Sequence, residues 1–291
     1  MATGATEFID ATTADALFPE IWSRHLTIAR EEALVFAKLV DRKFEKEMSF
    51  GDRVNITPIA HLAARTKSRT TNDAITFETE TPSNVTITIA TWEYAAFAME
   101  EATKKQTQAD MVAAYTPEMA YALSVAIDTV VAGYPDDAAA AYTVGTLSQS
   151  LTHDDLLEAN RILDDANVPQ EDRFMVISPA QEEGFLKLQQ FVNADFKSLV
   201  PGSSAKNAKD RAYVNSWRGI PIYKSTNVEG TNASGHDNTL MHKTAIALIV
   251  QLKATARHQY DINYFADKYA THNLYGSGLV RTDHMVFLRG A

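Results

Sequence analysis

Chemistry in a folded chain needs titratable or nucleophilic side chains at spacings that let them converge, and this sequence offers few such spacings. Its histidines stand at His25, His61, His153, His236, His242, His258, His272 and His284. No two are a helical step of three or four apart and there is no HExxH, so no metal-binding pattern is present. The chain has no cysteine, which removes disulfides, thiolate metal sites and a thiol nucleophile. Gly276-Ser277-Gly278 has neither the glycine spacing nor the following helix of a phosphate loop or nucleophile elbow, and reads as a turn ahead of the last strand. The acid pairs Asp136–Asp137, Asp154–Asp155 and Asp164–Asp165 fall at helix boundaries, facing water or the positive start of a helix rather than forming a catalytic pair. Asn55, Asn84 and Asn232 open glycosylation patterns, but no secretion signal accompanies them and they read as chance matches. The expectation is no catalytic, cofactor-binding or metal-binding residue, and no cofactor.

Composition narrows the class. A length of 291 residues, 45% of them apolar, allows one large domain or two ordinary ones with a real core. A net charge of -10 argues against a dedicated phosphate-gripping face, because nucleic-acid affinity comes mostly from Lys and Arg neutralising phosphates. The opening MATGATEFIDATTADALF lacks a basic region followed by an apolar core, and the longest strongly apolar run, Ala245 to Val250, is too short to span a bilayer. Cytoplasmic synthesis is the expectation.

The element that organises the chain is Gln106 to Tyr134, read as one long helix. Val112, Tyr115, Met119, Leu123, Ala126 and Val130 recur at steps of three and four and should line one stripe. Thr107 with Asp110 gives a start signal, and Gly133 with Pro135 a stop. At about 1.5 Å per residue the helix would run roughly 40 Å, a strut. Pro117 conflicts with its middle: the strut is kinked there, or a second helix begins with Thr116 as its cap.

The other elements follow in order. Met1 to Ala16 is small, polar and without period, as in a mobile arm. Phe18 to Met48 reads as an amphipathic helix with Trp22, Leu26, Ala29, Ala33, Phe36 and Val40 on one face, packed on its own domain or docked on a neighbouring subunit. Val54 and Ile56, then Val85, Ile87 and Ile89, alternate with polar residues as two strands. The polar stretch between them, Ala60 to Asn84, is about twice the length at which structureless loops become rare, so a long outward hairpin is expected. An isolated two-stranded ribbon is marginal in water, and a second copy of the protein could cover it. Leu151 to Leu188 reads as helix, strand, helix: Thr152 with Asp155 caps a helix whose inner face carries Leu156, Leu157, Ile162 and Leu163. Asn167 and Pro169 stop it, Phe174 to Ile177 is a buried strand, and Ser178, Pro179 and Gln181 start the next helix. Phe191 to Asp210 is loop-like; Ile220, Ile222 and Ala245 to Val250 add strands around a Gly/Asn/Ser-rich loop from Asn227 to Asn238; Leu279 to Leu288 closes the chain as a strand.

This α+β order resembles the major capsid proteins of tailed bacteriophages, the Hong Kong-97-type fold. Local residues carry the resemblance. Gly51-Asp52-Arg53-Val54-Asn55-Ile56 is similar to the start of that family's hairpin, and Ala122-Leu123 through Ile127-Asp128 to the end of its spine helix. Asn167-Val168-Pro169, Arg173 and Val176-Ile177-Ser178-Pro179 resemble its central helix and strand, and Gly219 to Ser225 a following strand pair. The likeness runs from about residue 18 to the end. It implies an N-terminal arm (1–48), an extended hairpin loop (49–93), a peripheral domain with the spine helix (94–144 and 270–291) and an α/β axial domain (145–269).

The resemblance further implies a structural, non-enzymatic subunit of an icosahedral shell, self-assembling into pentamers and hexamers that enclose the genome without reading its sequence. The hairpin would overlap a neighbour. Implied partners are scaffolding, portal and decoration proteins, with no membrane, assembly in the host cytoplasm and residence in the virion capsid. Fewer than about 50 residues precede the hairpin, short of a fused scaffold, so a separate scaffolding protein is expected. Some relatives cross-link a hairpin lysine to a neighbour's asparagine; Lys67 has that placement, but neither the partner nor an assisting acid is matched, and it is read as a solvated lysine. Two alternatives stand beside this one: an encapsulin-like bacterial nanocompartment shell, and a cytosolic α/β enzyme with a pocket in the body from Leu151 to Leu188.

Overall fold

The computed structural model describes residues 34–46, 48, 50–57, 62, 64–67, 69–70, 74–75, 77, 84–106, 111–137, 142–146, 149–188, 212–231 and 234–290. The centre of the body is β5 (Arg173–Ile177), buried along its whole length because Phe174 and Val176 enter one layer while Met175 and Ile177 enter the other. It runs parallel to β7 (Ile220–Lys224) and antiparallel to β9 (Gly235–His242). With β4 (Thr143–Gly145), β6 (Tyr213–Trp217) and β12 (Met285–Gly290) these form a mixed sheet in the order β4-β12-β9-β5-β7-β6, and β8 (Gly230–Thr231) pairs with β9 as a seventh strand.

Two helices cover one face. α4 (His153–Asp165) starts at the expected cap: the Thr152 hydroxyl accepts from the Asp155 N–H at 3.3 Å and the Asp155 carboxylate accepts from the Thr152 N–H at 2.8 Å. Its buried stripe is Leu156, Ala159 and Leu163, steps of three and four; Ile162 is only partly buried and Leu157 is exposed, one position round the helix from the stripe it was expected to join. Asn167, at φ 55°, turns the chain out, as glycine or asparagine does after a helix. Pro179 then opens α5 (Pro179–Leu186), with the Ser178 hydroxyl accepting from the Gln181 N–H at 3.1 Å.

The second sheet has three strands in the order β10 (Ile246–Asp261), β11 (Ala266–Leu279), β3 (Thr91–Glu100), all antiparallel. The short α2 (Glu101–Gln106) leads to α3 (Met111–Gly133), the strut, which lies along this sheet: Tyr115 packs on Phe97 with ring centroids 5.4 Å apart, and Tyr134 just beyond the helix meets the Ser277 hydroxyl at 3.0 Å. Its described length corresponds to about 35 Å at 1.5 Å per residue. Pro117 sits inside one continuous helix; no second helix starts at Thr116, whose hydroxyl donates back to the Val112 carbonyl at 2.7 Å. The start signal at Thr107 and Asp110 lies outside the described residues.

Several expectations are corrected. The stripe of α3 holds at Met119 and Leu123 but ends on Asp128, Val131 and Ala132, leaving Val130 and Tyr115 exposed; a 3.6-residue period drifts off Val130 by the last turn. β3 and the long β10–β11 ribbon beyond Val250 were not anticipated; Lys253 to Gln259 has only Ala254 and Ala256 as apolar residues and is exposed throughout. Gly276-Ser277-Gly278 is not a turn but part of β11: a Cβ on Gly276 would stand 2.5 Å from the Thr88 carbonyl oxygen, so glycine lets the strand cross close under the hairpin base. The closing strand begins at Met285 rather than Leu279, after a 3-10 turn at Thr282–His284. β12 lies in the seven-stranded sheet beside β9, whereas residues 270–291 were expected with the spine helix.

The chain from Val35 to Val40 also differs from the long helix expected over Phe18 to Met48. Among the described residues helix here is confined to α1 (Phe36–Leu39); Val40 is extended, Asp41 bridges Ala247, and a 3-10 turn spans Lys43–Lys46. Val35, Phe36 and Val40 are buried with Val131, Val176 and Met241, so this part of the arm packs on its own chain. The arm's first 33 residues, with Trp22, Leu26, Ala29 and Ala33, lie outside the described residues.

Candidate assembly surfaces

The hairpin begins where it was expected. β1 (Arg53–Ile56) and β2 (Val85–Thr88) pair antiparallel with Val54 opposite Ile87 and Ile56 opposite Val85. The inward residues Ile87 and Ile89 join Met48, Ala247 and Ile249 in a small core, although Ile89 lies beyond the strand and donates its N–H to the Asp52 carbonyl at 2.7 Å. Asn55 and Asn84, the glycosylation matches, are used here: Asn55 accepts from the Thr86 hydroxyl and Asn84 from the Thr57 hydroxyl, each at 2.7 Å. Asn232 lies outside the described residues. Other apolar side chains lack cover: Phe50, just before β1, is 90% exposed, and Phe77, between the two strands, is 81% exposed. Leu62 and Ile75 are exposed as well, and so is Lys67.

A second uncovered region lies on the ribbon. The turn joining β10 to β11 presents Ile262, Tyr264 and Phe265, each more than two-thirds exposed. On the face of β3 turned from the strut, Trp92 and Tyr94 are 70% and 77% exposed, with His272 edge-on to Trp92 at 6.0 Å. The opposite face is filled by Phe97 stacked on Tyr269 at 4.9 Å and by His258 over Tyr269 at 4.7 Å. Beside them Lys104 and then His258 hold the Asp267 carboxyl below the usual carboxylate range, at 2.8 and 3.0 Å. The turn lies at the Glu100 end of β3 and Trp92 and Tyr94 near its other end, so these are two separate exposed apolar areas, each a candidate contact surface.

One polar residue that pattern reasoning passed over ties the layers together. Asp128, on the inner face of α3, is fully buried; its carboxylate accepts from the Ala37 N–H at 2.9 Å and from the Asn227 side-chain amide at 2.9 Å. The first N–H groups of a helix have no partner within it, and α1 has no side-chain cap of its own, so the strut supplies one. An aspartate in an otherwise apolar stripe was the available signal.

The residues screened for chemistry fall into structural roles. Asp154 and Asp155 sit in the first turn of α4, but Asp164 and Asp165 are in its last turn, where the dipole disfavours them; Arg173 at 2.7 Å and Arg161 at 2.7 Å compensate. The buried Arg173 also donates to the Pro169 carbonyl at 2.9 Å, Asn160 at 2.9 Å and the Val168 carbonyl at 2.6 Å. An open cleft of about 460 Å3 lies beside it, lined by Glu171, Asp172, Arg218 and Pro221 among others, yet the guanidinium is engaged by these internal partners. Among the described residues no three of His, Cys, Asp and Glu are placed to hold a metal ion. His153 stands edge-on to Trp217 at 6.1 Å, His236 is buried, and His25 and His61 lie outside the described residues. The fold does bring two histidines together, His242 and His284, with ring centroids 5.6 Å apart. Among the described residues no helix is long and apolar enough to cross a membrane.

Comparison with known proteins gives this architecture a family. The family described as phage capsid protein matches residues 43–276. No curated protein matches the sequence. Among solved structures, the chain superposes on one from Mycobacterium phage Che8 with a TM-score of 0.76 at 22% identity, covering 93% of this chain and 96% of that one. It superposes on the capsid of cyanophage P-SCSP1u with a TM-score of 0.74 at 18% identity, covering 96% and 94%, and on that of cyanophage Pam1 with 0.71 at 11%, covering 98% and 99%. With an arm, an outward hairpin, a strut and an α/β body in that order, the chain belongs to the phage capsid protein family, has the Hong Kong-97-type fold, and is a structural subunit of a capsid.

Proposed function

We propose that copies of this chain close into an icosahedral shell of pentamers and hexamers, with the hairpin of each subunit laid over a neighbour. The observation that carries this reading is the distribution of uncovered apolar side chains. Phe50, Leu62, Ile75 and Phe77 on the hairpin and Trp92, Tyr94, Ile262, Tyr264 and Phe265 on the ribbon are exposed in the single chain, while the body beneath them has a complete core of its own. Each contact can be modest, because every subunit makes several at once and repeated use of the same patches closes the assembly.

The body (142–188, 212–245 and 285–290) then forms the axial domain, and α3 with β3, β10 and β11 the peripheral one. The subunit works without catalysis or cofactor, assembles in the host cytoplasm alongside scaffolding and portal proteins, and encloses nucleic acid without base-specific contacts, consistent with its net charge of -10. Lys67, exposed on the hairpin, is a solvated lysine in this reading. Sedimentation of the expressed protein, alone and with its scaffolding protein, tests it: capsomers or shells are expected, and a single monomeric species under all conditions would refute it.

A further inference from the structure

The two places where the backbone passes between the seven-stranded sheet and the ribbon are held by one side-chain cluster. β9 ends at His242, a 3-10 turn at Lys243–Ala245 follows, and β10 leaves for the ribbon; β11 returns through the turn at Thr282–His284 into β12. The Thr244 hydroxyl lies 2.8 Å from Nδ1 of His242 and 2.8 Å from Nδ1 of His284.

Hydrogen-bond bookkeeping fixes the state of both rings. The Thr244 backbone N–H donates to Nδ1 of His242 at 3.2 Å, so that nitrogen is an acceptor and the ring's proton sits on Nε2. The Thr244 hydroxyl has one hydrogen; if it shares the His242 Nδ1 lone pair with the backbone N–H, its oxygen is left to accept from Nδ1–H of His284. Nε2 of His284 is then an acceptor, and it faces Nη1 of Arg281 at 3.3 Å, a group that can only donate. Both rings are therefore neutral in this arrangement. A second proton on His242 would set a donor against two donors, and one on His284 would set an N–H against a guanidinium.

The surrounding charges act in both directions. Burial is the largest influence on each ring and holds both below the ordinary histidine range, aided by Arg173 and Arg281 and, for His284, by His242. Asp172 and the Glu171 backbone favour the charged form of His242, and Asp283, 4.0 Å from Nε2, that of His284.

We infer that the His242–Thr244–His284 cluster is an acid-operated joint, which when neutral fixes the ribbon to the α/β body and when protonated frees both chain crossings so that the ribbon can change its angle. The inference rests on this cluster alone and stands independently of shell formation. Because each ring binds its second proton less readily folded than unfolded, the stabilisation is complete above pH ~6.5 and is lost as pH falls from there through the lowered folded values.

Hydrogen exchange on the full chain at pH 7.5 and 5.0, corrected for intrinsic rates, tests the joint. Opening of residues 240–248 and 280–287 should be faster by about fivefold or more at the lower pH, with β5 unchanged. His242→Asn with His284→Asn keeps an acceptor and a donor at the two Nδ1 positions but cannot titrate, so its two pH values should give equal protection. Thr244→Val should open the joint already at pH 7.5. Should the double variant fail to fold, imidazole NMR titration of the unaltered protein still decides: midpoints below 6.5 for both rings are expected. A midpoint at or above that value, or a double variant with an undiminished pH response, would overturn the joint.

Discussion

Replacing Asp128 with alanine removes the only acceptor of the Ala37 N–H among the described residues, and with it the partner of the Asn227 amide. Two part-buried donors left unmet cost at most about 1–3 kcal/mol each. Relief of the buried carboxylate's own desolvation returns part of that, which sets the net loss at about 2–4 kcal/mol. For 291 residues, an unfolding entropy of about 2.1 cal/mol/K per residue makes this a fall in melting temperature of about 3–7 °C. Asp128→Asn retains one acceptor and turns a donor toward the other site, so it should lose about half as much. Thermal melts of the purified protein give the magnitude, and hydrogen exchange of the Ala37 amide gives the place, since α1 should detach from the strut before the sheet opens. If both variants melt with the unaltered protein and the Ala37 amide stays protected, the strut does not cap the arm and the reasoning is wrong.

Three further substitutions probe the backbone. Gly276→Ala sets a Cβ 2.5 Å from the Thr88 carbonyl oxygen and 2.9 Å from Ile89 Cα, both backbone, and should cost about 2 kcal/mol or more; Gly133→Ala meets only the Glu229 carboxylate at 4.0 Å and should be neutral or slightly stabilising, as paired denaturant melts would show. Pro117→Ala, which restores an N–H and up to about 3 kcal/mol of helix propensity, is expected to slow any change in the strut's bend between precursor and mature shells. Reconstructions of both shell forms that superpose along an unbent α3 would remove this idea.

How far the sequence carried depended on whether burial was one-sided and local. The Thr152–Asp155 cap, the five-residue run of β5 and the alternation around Val54 and Ile87 each write their structure into adjacent residues, and each was found in place. The β10–β11 ribbon did not announce itself, because the apolar residues from Lys253 to Gln259 are Ala254 and Ala256 alone, too small to mark a buried face. β3 does alternate, but its aromatic residues Trp92 and Tyr94 point outward, the reverse of what a core pattern predicts. Helical periodicity misled from Val40 to Met48 for a different reason: Phe36 and Val40 are buried as that pattern requires, yet the chain between them and Met48 is claimed by pairing with β10 at Asp41. Contacts made across long separations, such as Asp128 with Ala37 and His242 with His284, leave no spacing in the sequence to detect.

The central claim is that the hairpin and the ribbon's exposed aromatics are covered by sister subunits. A cryo-electron microscopy reconstruction of the assembled protein, at a resolution that traces side chains, measures this directly. The account predicts repeated subunits in which Phe50, Ile75, Phe77 and Trp92 are buried between chains. A lone copy with the hairpin folded back on its own body, or a shell in which those side chains stay in water, would contradict it.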